Sequence, residues 1–266
     1  MSKENKRAAR RIAFITGAGA GIGRACARRF AQGGWQVAIS DVDAAALVPL
    51  RAELGAACIF DTALDVADAD AVNIAFERFA QASGGQLDLL LNNAGVLEMG
   101  AFEALPLDRQ RRITHINNDG VLHCSHRAFP LLATTPGARL VNLSSASANY
   151  GVPSLAVYSA SKFWVRGFTE ALNLEWDRHG IWVCDVMPNF VGTGMLSGHG
   201  KDALITRLGV KLGPEDVAEV VWQAATGARR VHWAVEKNPV LRALVALNGA
   251  LPQGLQRAAM KITTGS

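Results

Sequence analysis

Apolar and polar positions along this chain follow two alternating rhythms. The runs RIAFIT, WQVAIS, ACIFDTALDV, LDLLLNNAG and ARLVNLS are short, continuous and rich in Ile, Val and Leu. Runs of that length and composition predict strands buried on both faces. Between them lie GIGRACARRFAQGG, DAAALVPLRAELG, DADAVNIAFERFAQASGG and DRQRRITHINNDGVLHCSHRAFPLL. Their apolar residues recur at helical spacing, and several end on glycine. Two more units follow: a long helix over 154–179 with strand IWVCDVMP, then helix PEDVAEVVWQAATG with strand RVHWAV. Regular strand–helix alternation predicts an α/β fold, a doubly wound parallel sheet with helices on both faces. No linker or change of composition divides residues 11–266, so a single domain is expected after a basic leader at residues 1–10.

One segment, residues 193–213, breaks the rhythm with glycines around a short apolar stretch. It falls after a strand, on the edge where open α/β sheets bind ligands, and reads either as a substrate lid or as an ordinary surface loop. The tail at residues 238–266 carries two apolar helical stretches that could cover a pocket, pack on a second subunit or lie on a membrane surface.

Composition narrows the classes. Half of the 266 residues are hydrophobic and 19% are charged, which excludes a disordered chain. The net charge of +4 owes much to Lys3, Lys6, Arg7, Arg10 and Arg11, without nearby aromatics for base stacking, so no nucleic acid is expected as a partner. Four cysteines without CxxC spacing predict buried thiols, no metal site and a reducing, cytoplasmic setting. No stretch has the apolar length of a transmembrane segment.

Candidate chemistry begins with ITGAGAGIGRA, after the first strand and opening the first helix. Gly17, Gly21 and Gly23 permit a tight turn and close approach of backbone to a pyrophosphate, which the helix N-terminus attracts. Their spacing is G-x3-G-x-G, not the usual G-x-G-x-x-G. Asp41 closes the second strand, where a carboxylate accepts hydrogen bonds from ribose hydroxyls and repels a 2′-phosphate. Ala20 adds no basic residue to welcome that phosphate, so NAD is favoured over NADP. The alternative for Asp41 is a helix cap, for which Asp43 competes.

The second candidate is AVYSASK. One of only two tyrosines, Tyr158, stands four residues before Lys162, on one face of the predicted helix. A nearby cation stabilises phenolate, so the pair predicts a general acid–base whose phenol titrates below its ordinary pKa near 10. NNAG and NLSS fall at strand ends on the same edge.

Taken in order, TGAGAGIG, NNAG, NLSS and YSASK resemble the short-chain dehydrogenase/reductase family in its compact, Rossmann-like, single-domain form, over residues 11–235. The resemblance implies that Tyr158 is the proton donor or acceptor and that Lys162 lowers its pKa and binds the nicotinamide ribose. It implies that Ser145 hydrogen-bonds the substrate oxygen, with Ser144 the neighbouring alternative. Asn117 would kink a helix and hold a water that links Lys162 to solvent, with Asn118 the competing candidate. For the cofactor it implies Gly17, Gly21, Ile22 and Gly23 at the pyrophosphate, Asp41 at the ribose, Asp65 and Val66 beside the adenine, and Asn92, Ala94 and Gly95 beneath the adenosine. Pro188 begins a turn that brings Thr193 to the carboxamide, with Asn189 replacing the family's glycine and expected to keep a left-handed backbone. The resemblance also implies a homodimer or homotetramer built on helices at 118–133 and 154–179, with Phe163, Trp164, Phe168 and Trp176 in the core or at the interface.

Val96, Leu97, Met99, Tyr150, Val152, Met195 and Leu196 predict an apolar pocket for a bulky, lipophilic secondary alcohol or ketone. The expected activity is hydride transfer with NAD(H). The rivals are an NADP-preferring carbonyl reductase and a non-catalytic dinucleotide-binding protein.

Overall fold

All seven predicted strands form and join one sheet. The computed structural model describes residues 11–192 and 212–235, with isolated positions Gly254, Leu255, Arg257 and Lys261. In chain order the strands are β1 Ile12–Thr16, β2 Gln36–Asp41, β3 Cys58–Ala63, β4 Leu89–Asn92, β5 Arg139–Leu143, β6 Trp182–Pro188 and β7 His232–Val235. They run parallel in the order β3-β2-β1-β4-β5-β6-β7. The chain winds outward from β1 in one direction and from β4 in the other. A crevice must therefore open above the carboxyl ends of these two neighbours.

Helices cover both faces: α1 Gly21–Gln32, α2 Ala44–Leu54, α3 Ala69–Ser83, α4 Leu107–Thr114, α5 Gly120–Thr134, α6 Ala156–Glu175 and α7 Pro214–Thr226. Strand β1 is buried throughout and sends alternate side chains to two cores. Ala13 and Ile15 meet α1 and α7, where Phe30, Trp35 and Trp222 pack together. Ile12 and Phe14 meet the opposite layer, Phe14 stacking on Phe76 at 4.8 Å and meeting Phe79 edge-on at 5.0 Å.

Three predicted boundaries shift. Strand β3 ends at Ala63, three residues short of the apolar run's end, which leaves Asp65 and Val66 in the loop above the sheet. The long helix over 154–179 is α6 followed by a 3-10 turn at Asp177–His179. The helix predicted from Asp108 to Leu132 is interrupted by one π-helical turn, His115–Asp119, and such turns concentrate at functional sites.

One row of the sheet is polar. Asn92, Asn142, Asp185 and His232 lie side by side on β4 to β7. Asn92 Nδ2 donates to Asn142 Oδ1 (2.9 Å) and Ser125 Oγ (3.0 Å), and Asn142 Nδ2 donates to Thr169 Oγ1 (2.9 Å). These buried bonds fix α5 and α6 in register against the strands, because sliding either helix would strand the amides without partners.

Candidate active site

Above β1 the chain turns through Gly17, whose φ of +64° favours glycine. A Cβ on Gly17 would stand 2.8 Å from Ala94 Cα, and one on Gly23 only 2.1 Å from the Gly17 carbonyl oxygen. The turn is held from β4. Asn93 Nδ2 donates to the carbonyls of Thr16 (2.8 Å) and Gly17 (2.9 Å), while Thr16 Oγ1 accepts from the amides of Asn93 and Ala94 (both 3.0 Å). Helix α1 begins after Ala20 with no side-chain cap, so its first N–H groups face outward for an anion. Ile22 packs down into the core.

Asp41 and Asp43 divide their two possible roles. Asp43 caps α2, accepting from the amides of Ala45 and Ala46. Asp41 accepts from the Gly19 amide (2.8 Å) and the Asp43 amide (3.0 Å), which sets its carboxylate against the glycine turn. Gly19 went unremarked in the sequence, yet a Cβ there would lie 2.7 Å from Asp41 Oδ2. Asp65 is exposed and accepts from the Ala67 amide, whereas Val66 is buried against Gly120.

Asn92 departs from expectation. Its side chain is committed to the buried bonds with Asn142 and Ser125, and the next residue, Asn93, braces the glycine turn instead. Sequence reasoning missed Asn93 because NNAG presents two asparagines and only the strand's pleat decides which one faces the turn.

Ser145, Tyr158 and Lys162 converge at the end of β5. Ser145 caps the 3-10 turn Ala146–Ala148, accepting from the Ser147 amide at 3.2 Å, and its hydroxyl stands beside the Tyr158 phenol, where it favours the phenolate. Ser144 is buried and spent on the Lys162 carbonyl (3.3 Å). Lys162 Nζ donates to the Leu143 carbonyl (2.8 Å) and lies 5.6 Å from the Tyr158 ring centroid. The phenol does not titrate below its ordinary value here. Burial pushes it up to about 12, against the Ser145 hydrogen bond, and burial pushes Lys162 down to about 8. Desolvation disfavours both charged forms and outweighs a cation already engaged by a carbonyl. The site therefore holds a protonated phenol beside a hydroxyl donor.

The π-helical turn sets the two asparagines. Asn117 Nδ2 donates to the Val96 carbonyl (3.0 Å) and Ser161 Oγ (3.1 Å), and its Oδ1 accepts from the Val96 amide (2.8 Å). Gly95 leaves room for it, since a Cβ there would stand 3.2 Å from Asn117 Oδ1. With these bonds the Asn117 side chain ties the loop after β4 to α6, and the π-helical turn around it interrupts the helix at the residue expected to kink it. Asn118 donates to the Ser161 carbonyl (2.9 Å), and Ser161 Oγ to that of Tyr158 (2.7 Å).

Beside the phenol, Met99 and Leu155 are buried with Leu97, Val152 and Phe190 around them. Leu155 and Phe190 were not foreseen; each directly precedes or follows a recognised motif, which was the available signal. Tyr150 is half-buried nearby in sequence. Pro188 ends β6, and Asn189 does not take the left-handed backbone expected of it. Among the described residues Ser154 is the non-glycine with positive φ (+63°). Thr193, Met195, Leu196, the 238–266 tail and residues 193–211 of the candidate lid lie outside the described residues. The lid's two flanks do meet: Val191 bridges Leu212, and the Gly192 amide donates to the Leu212 carbonyl (2.9 Å).

Comparison with known proteins adds four findings. A family model described as short chain dehydrogenase matches residues 11–203. The chain is 30% identical to the probable oxidoreductase EphD of Mycobacterium tuberculosis, over 93% of this chain but 44% of that protein, so it spans less than half that relative's length. It is 32% identical to the cyclohexanol dehydrogenase of an Acinetobacter species, over 79% of this chain and 86% of that enzyme. Among solved structures, a short chain dehydrogenase/reductase from Burkholderia phymatum in complex with NAD superposes with a TM-score of 0.80. It is 29% identical and covers 90% of this chain and 93% of its own.

Proposed function

The chain belongs to the short-chain dehydrogenase family, and from that premise we propose that it transfers a hydride between NAD(H) and a bulky, lipophilic secondary alcohol or ketone. The observation that carries the reading is the half-buried phenol of Tyr158, set beside Ser145 at the rim of an apolar cluster and one turn from Lys162. The glycine cradle fits a dinucleotide: Gly17, Gly21, Ile22, Gly23 and the α1 N-terminus would hold its pyrophosphate, and Asp41 its ribose hydroxyls. Asp65, Val66, Ala94 and Gly95 would border the adenosine half, Lys162 the second ribose, and Pro188 and Thr193 the carboxamide. Bound there, the nicotinamide would accept or supply the hydride.

The chain's own residues handle the proton. In reduction, Tyr158 donates its phenolic proton to the substrate oxygen as that oxygen gains negative charge, and Ser145 donates a second hydrogen bond to it. In oxidation the proton moves from the alcohol to the phenolate. Leu97, Met99, Val152, Leu155 and Phe190 favour an apolar substrate body over a sugar phosphate or acid. Phe163 and Trp164 are 44% and 38% exposed on α6, which supports their assignment to a subunit contact, whereas Trp176 packs on Phe129. Among the described residues no helix is long and apolar enough to cross a membrane.

The test is a panel of secondary alcohols and ketones, from cyclohexanol to steroids, with NAD and NADP compared by kcat/KM. Turnover with NAD preferred is expected, and Asp41→Ala should raise the NADP/NAD ratio on the order of 100-fold by removing a charge that faces the 2′-phosphate. Native preference for NADP would overturn the cofactor choice; no turnover across the panel would overturn the reaction.

A further inference from the structure

The polar row ends in a cluster that the catalytic reading does not use. His232 on the edge strand β7 places Nδ1 2.9 Å from Asp185 Oδ1 and Nε2 3.0 Å from Glu170 Oε1. Asp185 is fully buried, and its second oxygen has no hydrogen-bond partner. The hydrogen bond runs to Asp185, while Glu170 is met as a charge at ion-pair distance. A ring set between two carboxylates fits an imidazolium, its extra proton held by Asp185 and His232 together, whichever atom carries it.

From this pair a continuous chain of contacts leads to the site. Arg166 Nε lies 3.1 Å from the same Glu170 oxygen, and Arg166 donates from its other end to Asn149 Oδ1 at 2.6 Å. Asn149 closes the 3-10 turn that Ser145 opens. On α6, Arg166 follows Lys162 by one turn and Tyr158 by two.

We propose that His232 is a positioning residue: the proton it shares with Asp185 clamps Glu170 and Arg166 on α6, and through Asn149 fixes the turn that presents Ser145 to Tyr158. This rests on the hydride-transfer reading for its catalytic consequence, although the clamp itself does not.

The groups facing His232 among the described residues are Asp185 from β6 and Arg166 and Glu170 from α6. The hydrogen bond to Asp185 pushes the His232 pKa up, against burial, and burial pushes the Asp185 carboxyl up, against its bond to His232. Both directions keep the proton on the pair. Its stabilisation is thus complete below the ordinary histidine pKa and is lost as pH rises through the raised value. Glu170 is half exposed, so its ion pair contributes alignment more than energy.

Amide hydrogen exchange tests the clamp without turnover. In the parent protein, exchange at Ser147, Ala148 and Asn149, corrected for the chemical rate, should rise about tenfold between pH 6 and pH 9.5, while β1 and β4 amides stay protected. In His232→Gln and Asp185→Asn the turn should exchange fast already at pH 6, with no further pH dependence. A turn that stays slow at pH 9.5, or loosening spread equally over the sheet, overturns the proposal. Lys162, pushed down to about 8, titrates in the same window, so the variants at pH 6 carry the assignment: a turn that stays slow there overturns the proposal, and the half-exposed Glu170→Gln, expected to loosen the turn at pH 6, takes their place should both fail to fold. With cyclohexanone and NADH, His232→Gln should lower kcat about tenfold with NADH affinity within about twofold, as misalignment of Ser145 predicts. Unchanged kcat overturns the link to Ser145. Absent turnover in the parent counts against hydride transfer and leaves exchange to decide the clamp.

Discussion

Tyr158→Phe lowers kcat about 1,000-fold in both directions, the size expected when a positioned general acid–base is removed. The substitution takes away one oxygen and leaves the ring among Met99, Leu155 and their neighbours. Packing is therefore kept, and the change in stability should stay within about 1 kcal/mol, the net value of one hydrogen bond to Ser145. NADH binding, followed by nicotinamide fluorescence, should change less than about twofold, so that lost turnover cannot be blamed on a lost cofactor. A variant that keeps a tenth of parental activity would remove Tyr158 from the acid–base role. The pH dependence of the parent follows from the direction of the shift. Burial raises the phenol to about 12, so the acid form persists across the neutral range and Tyr158 imposes no pH dependence on reduction there. Oxidation needs the phenolate, whose fraction rises about tenfold per pH unit below its pKa, so oxidation accelerates toward alkaline pH.

The sheet was legible in the sequence because strands covered on both faces must be apolar throughout, and β1, β4 and β6 obey that rule along nearly their whole length. The glycine turn was legible because close approach excludes a Cβ. Other features were not, and the causes are physical. A π-helical turn shifts hydrogen bonding by one residue and leaves the apolar period almost intact, so HINND reads as plain helix. The i, i+4 spacing brings Tyr158 and Lys162 to one face but does not show that Lys162 turns to the Leu143 carbonyl, nor that burial governs both titrations. The row Asn92, Asn142, Asp185 and His232 is formed by register between strands separated by up to 140 residues, which no local pattern encodes.

Gly23→Ala should be the most damaging glycine-to-alanine change among the described residues. The new Cβ would meet the Gly17 carbonyl oxygen at 2.1 Å and Asn93 Nδ2 at 2.5 Å. The first of these is backbone, which has no rotamer to adopt. Relief must move the Gly17 carbonyl, but that oxygen accepts from Asn93, which also holds the Thr16 carbonyl, so displacement spreads from the turn into the end of β4. Overpacking of this kind costs about 1–3 kcal/mol, measurable as a lowered midpoint in urea. The larger effect falls on the cradle. Its N–H groups hold a pyrophosphate only while the turn lies flat against α1, so NADH affinity should fall on the order of 100-fold, by the 2–3 kcal/mol that lost charge-assisted bonds are worth. Gly151→Ala provides the control: a Cβ there meets nothing within 4 Å, and stability and NADH affinity should both hold. If Gly23→Ala loses stability yet binds NADH as the parent does, the dinucleotide sits elsewhere, and the assignment of Gly17, Gly21 and Asp41 fails with it.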